Sequence, residues 1–209
     1  MSILMKQAER IAGHAEVRSR SDSGPKARDR IFAVARDMFY QRGIRAVGVE
    51  SIVAAAGATK MSLYRSFPSK DDLVVAYLKE RDAMYWRWWD GIMDEHAGDP
   101  RAQIVALVSS VAQRTSRVGY RGCPFTNAAT EFPEAEHPGR AIAAENKREL
   151  RARLRNLAAA AGARDAAALG DQLFVLIEGA YASGQIMGQD GPASSIVAAA
   201  ESLIATYCR

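Results

Sequence analysis

"ATKMSLYRSFPSKDDL", residues 58–73, decides how this chain is read. Thr59 stands where a side-chain oxygen can accept from the free amides of a first helical turn, and Phe67-Pro68 stops that helix within two turns, because proline lacks the amide and disfavours a helical residue before it. Inside the short helix, Leu63 and the following Phe67 are spaced to anchor one face. Lys60, Ser62, Tyr64, Arg65 and Ser66 give the other faces groups suited to phosphate and base edges. Ser69 then opens another helix, with Asp72 three residues on in the spacing of a capping box.

Upstream, Val49, Ile52, Val53 and Ala56 form a second short apolar stripe that ends at Gly57. Two short helices joined by a tight turn have the geometry in which the second enters a major groove while the first crosses the backbone. Lys60 would contact phosphate or guanine acceptors, Ser62 phosphate or a base edge, and Tyr64 a phosphate oxygen. Lys70 and the first amides of the next helix would add an anion site. Before this pair, Lys26 to Arg42 carries Ile31, Val34, Ala35, Met38 and Phe39 at helical spacing, with Gly43 where a left-handed cap belongs.

Charge agrees with a polyanion partner for this end of the chain. Of the 28 Lys and Arg, 15 lie between Met1 and Arg81 against 9 Asp and Glu, whereas beyond Arg81 the counts are 13 and 15. A basic patch of this kind attracts nucleic acid or an anionic surface without choosing between them. Residues 1–25 end in a Ser, Gly and Pro cluster and read as a flexible arm, in which Arg18 and Arg20 are candidate DNA contacts. With two cysteines, Cys123 and Cys208, the 209 residues have no disulfide framework or zinc motif, and no run reaches the roughly 18 apolar residues of a membrane span. A cytoplasmic setting is the expectation.

Downstream, the stripe Leu73, Val74, Tyr77, Leu78, Tyr85, Trp88 and Ile92 predicts a long helix ending near "HAGDP" (96–100), and Asp99-Pro100 opens the next. A short helix between two loops within 120–139 and three more helices follow, about nine in all, giving an all-α chain. The last two carry Leu169, Leu173, Leu176, Ile177 and Ala180, then Ile196, Ala200, Leu203 and Tyr207, stripes that exceed one monomer face and predict a two-fold, four-helix dimer interface.

"RDRIFAVARDMFYQRGIRAVGVESIVAAAGATKMSLYRSFPSKDDLVVAYL" resembles the DNA-binding domain of the tetracycline-repressor (TetR) family of bacterial transcription regulators, through the Phe39 and Gly43 pair, "IVAAAGAT", "SLYRSF" and "SKDDL". "GCPFTNAATEFPEAEHPG" is similar to a segment of one branch of that family. The resemblance implies a three-helix helix-turn-helix head over 26–72, an effector-binding and dimerisation domain over 73–209, and repression of a palindromic operator that a small molecule relieves. The family's reading positions fall on Lys60, Met61, Ser62 and Tyr64, and its phosphate-contacting lysine on Lys70. Thr59, Arg65, Ser66, Arg45 and Gly48 complete the candidate DNA contacts, although Gly48 stands where Ser or Thr is usual and Ser66 where an aromatic or His is frequent.

An aromatic-lined effector pocket would use Tyr85, Trp88, Trp89, Phe125, Phe132, Phe174 and Tyr181, oriented by Arg117 or Asn127, and would suit a hydrophobic or aromatic ligand. Cys123, between Arg121 and Pro124 at a helix start, opens a thiol-based redox alternative. A transcriptional activator on the same fold is another. Glu131, Glu134, Glu136 and His137 lie in a Pro-broken loop without helical ligand spacing, so a solvated acidic loop is expected there and no metal or other cofactor. No nucleophile triad or phosphate-binding glycine loop marks an enzyme.

Overall fold

The computed structural model describes residues 26–208; the arm carrying Arg18 and Arg20 lies outside them. All regular structure among the described residues is helical. The order is α1 (Ala27–Arg42), α2 (Val49–Ala55), α3 (Lys60–Ser66), α4 (Lys70–Glu95), α5 (Pro100–Thr115), α6 (Pro124–Glu131), α7 (Pro138–Ala160) and α8 (Ala166–Met187). Two 3₁₀ turns, Gly188–Asp190 and Pro192–Ser195, lead into α9 (Ile196–Tyr207).

The predicted punctuation is where the helices change direction. The Thr59 hydroxyl accepts from Ser62 N at 3.1 Å, and Asp99 caps α5 through Ala102 N at 3.0 Å. Gly43 closes α1 with φ 90° and ψ 151°, a positive φ outside the left-handed helical well, while Gly57 turns α2 into α3 at φ 57°. At Ser69 the hydroxyl accepts from Asp72 N at 3.0 Å and itself donates to the Asp72 carboxylate at 2.7 Å, so the reciprocal bond of a capping box is made by the hydroxyl.

The three N-terminal helices close around the first turns of α4. Ile31, Ala35 and Phe39 of α1, Ile52 of α2 and Leu63 of α3 are buried with Leu73, Val74, Tyr77 and Leu78. Phe39 meets Tyr77 edge-on with ring centroids 5.7 Å apart, and Phe32 stacks on Phe67 at 6.1 Å. Leu63 is the single buried residue of α3, and its burial contributes roughly 1.5–3 kcal/mol toward holding that helix against the head. A domain boundary at residue 72 therefore falls within a continuous helix: α4 runs through the head core and on into the body, where it packs on α5, α6 and α7.

In the body, α7 and α8 pack closely enough that a Cβ on Gly170 would lie 2.7 Å from the Arg155 backbone. Gly184 of α8 makes similar room for Thr115 of α5, so it serves an approach within the chain. Arg101 at the start of α5 donates to the carbonyls of Ala161 and Cys208, tying the ends of α7 and α9 together.

Candidate nucleic-acid interface and interhelical cavity

On the head, α3 lies outward. Met61 is 79% exposed and Tyr64 47%, with Thr59, Lys60 and Arg65 also exposed. Two hydroxyls are already engaged: Thr59 donates to Ser62 Oγ at 3.1 Å, and Ser66 turns back to the Ser62 carbonyl at 3.1 Å. Lys60 reaches back to Glu50 of α2, with Nζ 2.5 Å from Oε1, and that carboxylate raises the lysine above its usual range. The pair is solvent-exposed and therefore easily exchanged for phosphate.

Other candidate contacts sit differently from the expectation. Asp71 and Asp72 occupy the first turn of α4 and Ser69 caps it, so the helix end beside Lys70 is already supplied with negative charge. Lys70 is half-buried; desolvation draws it below its usual value, against the pull of Glu131 and Asp71. Arg45 pairs with Glu134, 3.1 Å away, with its guanidinium 5.5 Å over the Phe132 ring. Gly48 is an exposed N-cap whose carbonyl accepts from Ser51 Oγ.

In the segment expected to be a solvated acidic loop, Glu134 and Glu136 are exposed, but Glu131 and His137 instead form a clip between body and head. Glu131, the last residue of α6, accepts from Ile44 N at 3.0 Å and from Arg45 N at 2.6 Å. Phe132 stacks on His137 with centroids 3.6 Å apart, and His137 Nε2 lies 3.6 Å from Asp71. Glu134 pairs with Arg45, and Glu136 remains exposed.

Between α4, α5, α6 and α8 lies a cavity of about 440 Å³. It brings together five predicted residues: Tyr85, Trp88, Arg117, Phe125 and Tyr181. The other four lie elsewhere. Trp89 is buried on the next face of α4, one residue and about 100° round from Trp88. Phe132 lies beyond α6 at the clip, Asn127 donates to the Arg121 carbonyl, and Phe174 packs partly buried against the core. Sequence reasoning missed Tyr40, Arg81, Arg114 and Tyr120, though Arg81, Tyr85 and Trp88 follow one helical stripe and Arg114 precedes Arg117 by three. Tyr40 fixes the cavity's loop wall: its hydroxyl donates to the Gly122 carbonyl and accepts from Arg121 N.

The hydroxyls of Tyr85, Tyr120 and Tyr181 are buried without a hydrogen-bond partner, those of Tyr85 and Tyr181 approaching each other short of bonding geometry. Burial pushes all three phenols well above their usual range, which keeps them protonated donors. Cys123 caps α6 at the cavity wall. Lys147 Nζ lies 3.3 Å from its Sγ and 2.5 Å from Glu178, and the thiol and carboxylate outweigh burial to leave the lysine raised.

The expected dimer stripe divides in two. Leu169, Leu173, Ile177, Ala180, Ile196 and Ala200 are at most 5% exposed within the single chain, so they pack its own core and cannot also meet a second copy. The residues left outside form a shallow apolar groove on α8 and α9, with Val175 67% exposed beside Leu176, Ala199 and Leu203. Tyr207 stands near this edge, accepting from Gln172 at 2.8 Å. Asp171 closes the groove's rim, with both Arg151 and Arg155 on its carboxylate at 2.6–2.8 Å.

This architecture, a three-helix head on a helical body, is that of known regulators. Residues 31–77 match the family model described as bacterial regulatory proteins, tetR family, and residues 100–200 match that of the tetracyclin repressor-like C-terminal domain. The structure of SCO4454, a TetR-family transcriptional regulator from Streptomyces coelicolor, superposes with a TM-score of 0.83 at 29% identity, over 88% of this chain and 96% of that one. The sav143 protein of Streptomyces avermitilis, a TetR-type regulator by its description, gives 0.76 at 29% identity over 88% and 98%. Reduced NemR from E. coli shares the fold, with 0.74 at 20% identity over 85% and 96%. Among curated proteins, none matches the chain. The chain belongs to the TetR family of DNA-binding transcription regulators. Among the described residues, no helix is long and apolar enough to cross a membrane.

Proposed function

We propose that the protein is a homodimeric repressor whose head, residues 26–72, binds a palindromic operator through Lys60, Met61, Ser62 and Tyr64, and that a small molecule in the interhelical cavity releases it. The observation that carries this reading is one shared by two helices. Arg81, Tyr85 and Trp88 of α4 line the cavity while the same helix supplies Leu73 to Leu78 to the head core, and Pro124 and Phe125 of α6 line it while Glu131 holds the head's Ile44 and Arg45 amides. An occupant that displaces either helix shifts the head, so the ligand and DNA select different arrangements of one dimer.

Dimerisation through the groove around Val175, Leu176 and Leu203 gives two reading helices related by a two-fold axis. They would address half-sites about one turn of B-DNA apart, roughly 34–36 Å, or somewhat more. The test is a reporter under the chain's own operator in a heterologous host: expression that falls when the protein is present and recovers with a cavity ligand supports repression, whereas expression that rises favours the activator.

A second reading, a thiol switch, is favoured by one contact, the Lys147 ammonium 3.3 Å from Cys123 Sγ. Under it, peroxide weakens operator binding by the wild type and leaves Cys123→Ser unaffected.

A further inference from the structure

The cavity's chemistry points beyond an apolar ligand. Arg81 and Arg114 stand on facing helices and Arg117 on the loop after α5, and the cavity lining includes no Asp or Glu. None of the three arginines takes part in an ion pair among the described residues. Arg81 Nε is buried without a partner, as are the hydroxyls of Tyr85, Tyr120 and Tyr181 around the same space. Guanidinium groups only donate, whereas a protonated phenol both donates and accepts, so the surplus of donors around this wall comes from the three arginines. The acceptors on hand are few: the Gly122 carbonyl is taken by Tyr40, and the Lys147–Glu178 pair behind Cys123 is neutral within itself.

Three like charges around one cavity repel each other, and buried donors left unpaired destabilise the folded state. Both costs disappear when an anion rich in acceptor oxygens enters. The rest of the lining selects its body. The Trp88 indole N–H is already given to Ser110, which leaves the ring's face as an apolar surface, and Phe125 and Met84 extend it. Arg114 stacks 4.2 Å over Trp88, an arrangement that leaves the guanidinium edge open to a carboxylate in its plane.

We propose that the cavity takes a small organic carboxylate on a flat apolar body, its oxygens received by Arg81, Arg114, Arg117 and the tyrosine hydroxyls. This rests on the reading of the cavity as the effector site and names the effector's class.

The test is calorimetric titration of the full-length protein with 2-naphthoate and 3-phenylpropanoate, each beside its primary amide, which keeps the body and removes the charge. The acids should bind about tenfold or more tightly than the amides. Arg114→Gln and Arg117→Gln should each shrink that preference; Arg117 is exposed, so its variant separates ligand recognition from folding. Equal binding of acid and amide would overturn the anion assignment and leave a ligand cavity. Binding by neither would overturn the assignment, while the effector reading still stands or falls on operator release. Acid-selective binding that leaves operator affinity unchanged would support the anion site and sink the effector reading alone.

Discussion

The Glu131 carboxylate holds the Arg45 backbone amide at 2.6 Å and, through its other oxygen, Ile44 N at 3.0 Å, so the end of α6 is fastened to the loop between α1 and α2. The opposite end of the same helix lines the cavity. The eight residues of α6 thus run from the cavity wall to the loop between α1 and α2.

Breaking that clip should uncouple the two ends. Glu131→Ala leaves the Ile44 amide unpaired in a buried setting and is expected to destabilise the head by about 1–3 kcal/mol. Amide hydrogen exchange at Ile44 and Arg45 should accelerate. Ligand affinity should persist while ligand-driven operator release weakens; a variant that releases DNA as the wild type does would show that α6 carries no signal.

Lys60 and Lys70 should fail differently. Lys60→Ala is expected to relax sequence preference, whereas Lys70→Ala should weaken all duplexes and reduce the salt slope by about one. Glu50→Gln, which frees Lys60 from its partner, should tighten binding to any duplex. Anisotropy titrations at several salt concentrations separate these outcomes.

The two faces of α8 also make opposed predictions. Val175→Asp places a charge in the apolar groove and should yield monomers by light scattering, with the head's melting unaffected. Leu173→Ala instead opens a cavity in the chain's own core and should cost about 2–5 kcal/mol of stability. Dimers that survive Val175→Asp would place the interface elsewhere.

Asp171 gives a pH signature. Its hydrogen bonds with Arg151 and Arg155 hold the carboxyl well below its usual value. A depressed carboxylate stabilises the fold above its unfolded pKa of about 3.9 and loses that contribution as pH falls through the folded value. Asp171→Asn should therefore melt below the wild type at pH 7, and the gap should narrow as pH drops under about 4. A gap independent of pH would assign the effect to geometry alone.

The head was legible because its punctuation is chemical: Gly43, Gly57, Thr59, Pro68 and Ser69 each impose a local backbone choice, and those choices set the helix ends. Periodicity could not sort α8, which is apolar on more than one face, so Leu173 and Leu176 fell in one stripe although the first is buried in the chain's own core and the second lines the outer groove. Trp88 and Trp89 pose the same problem at single-residue spacing. Glu131 was opaque for another reason: its partners are backbone amides 86 and 87 residues away, and no side-chain pattern marks them.

The central claim, that a two-fold dimer reads DNA with α3, is tested most directly by selection of bound duplexes from a randomised pool. The predicted result is enrichment of an inverted repeat whose half-sites lie about one helical turn apart or somewhat more, lost with Val175→Asp and blurred with Lys60→Ala. Recovery of sequences with no common motif, or of a single unrepeated site bound equally by the Val175→Asp protein, would contradict it.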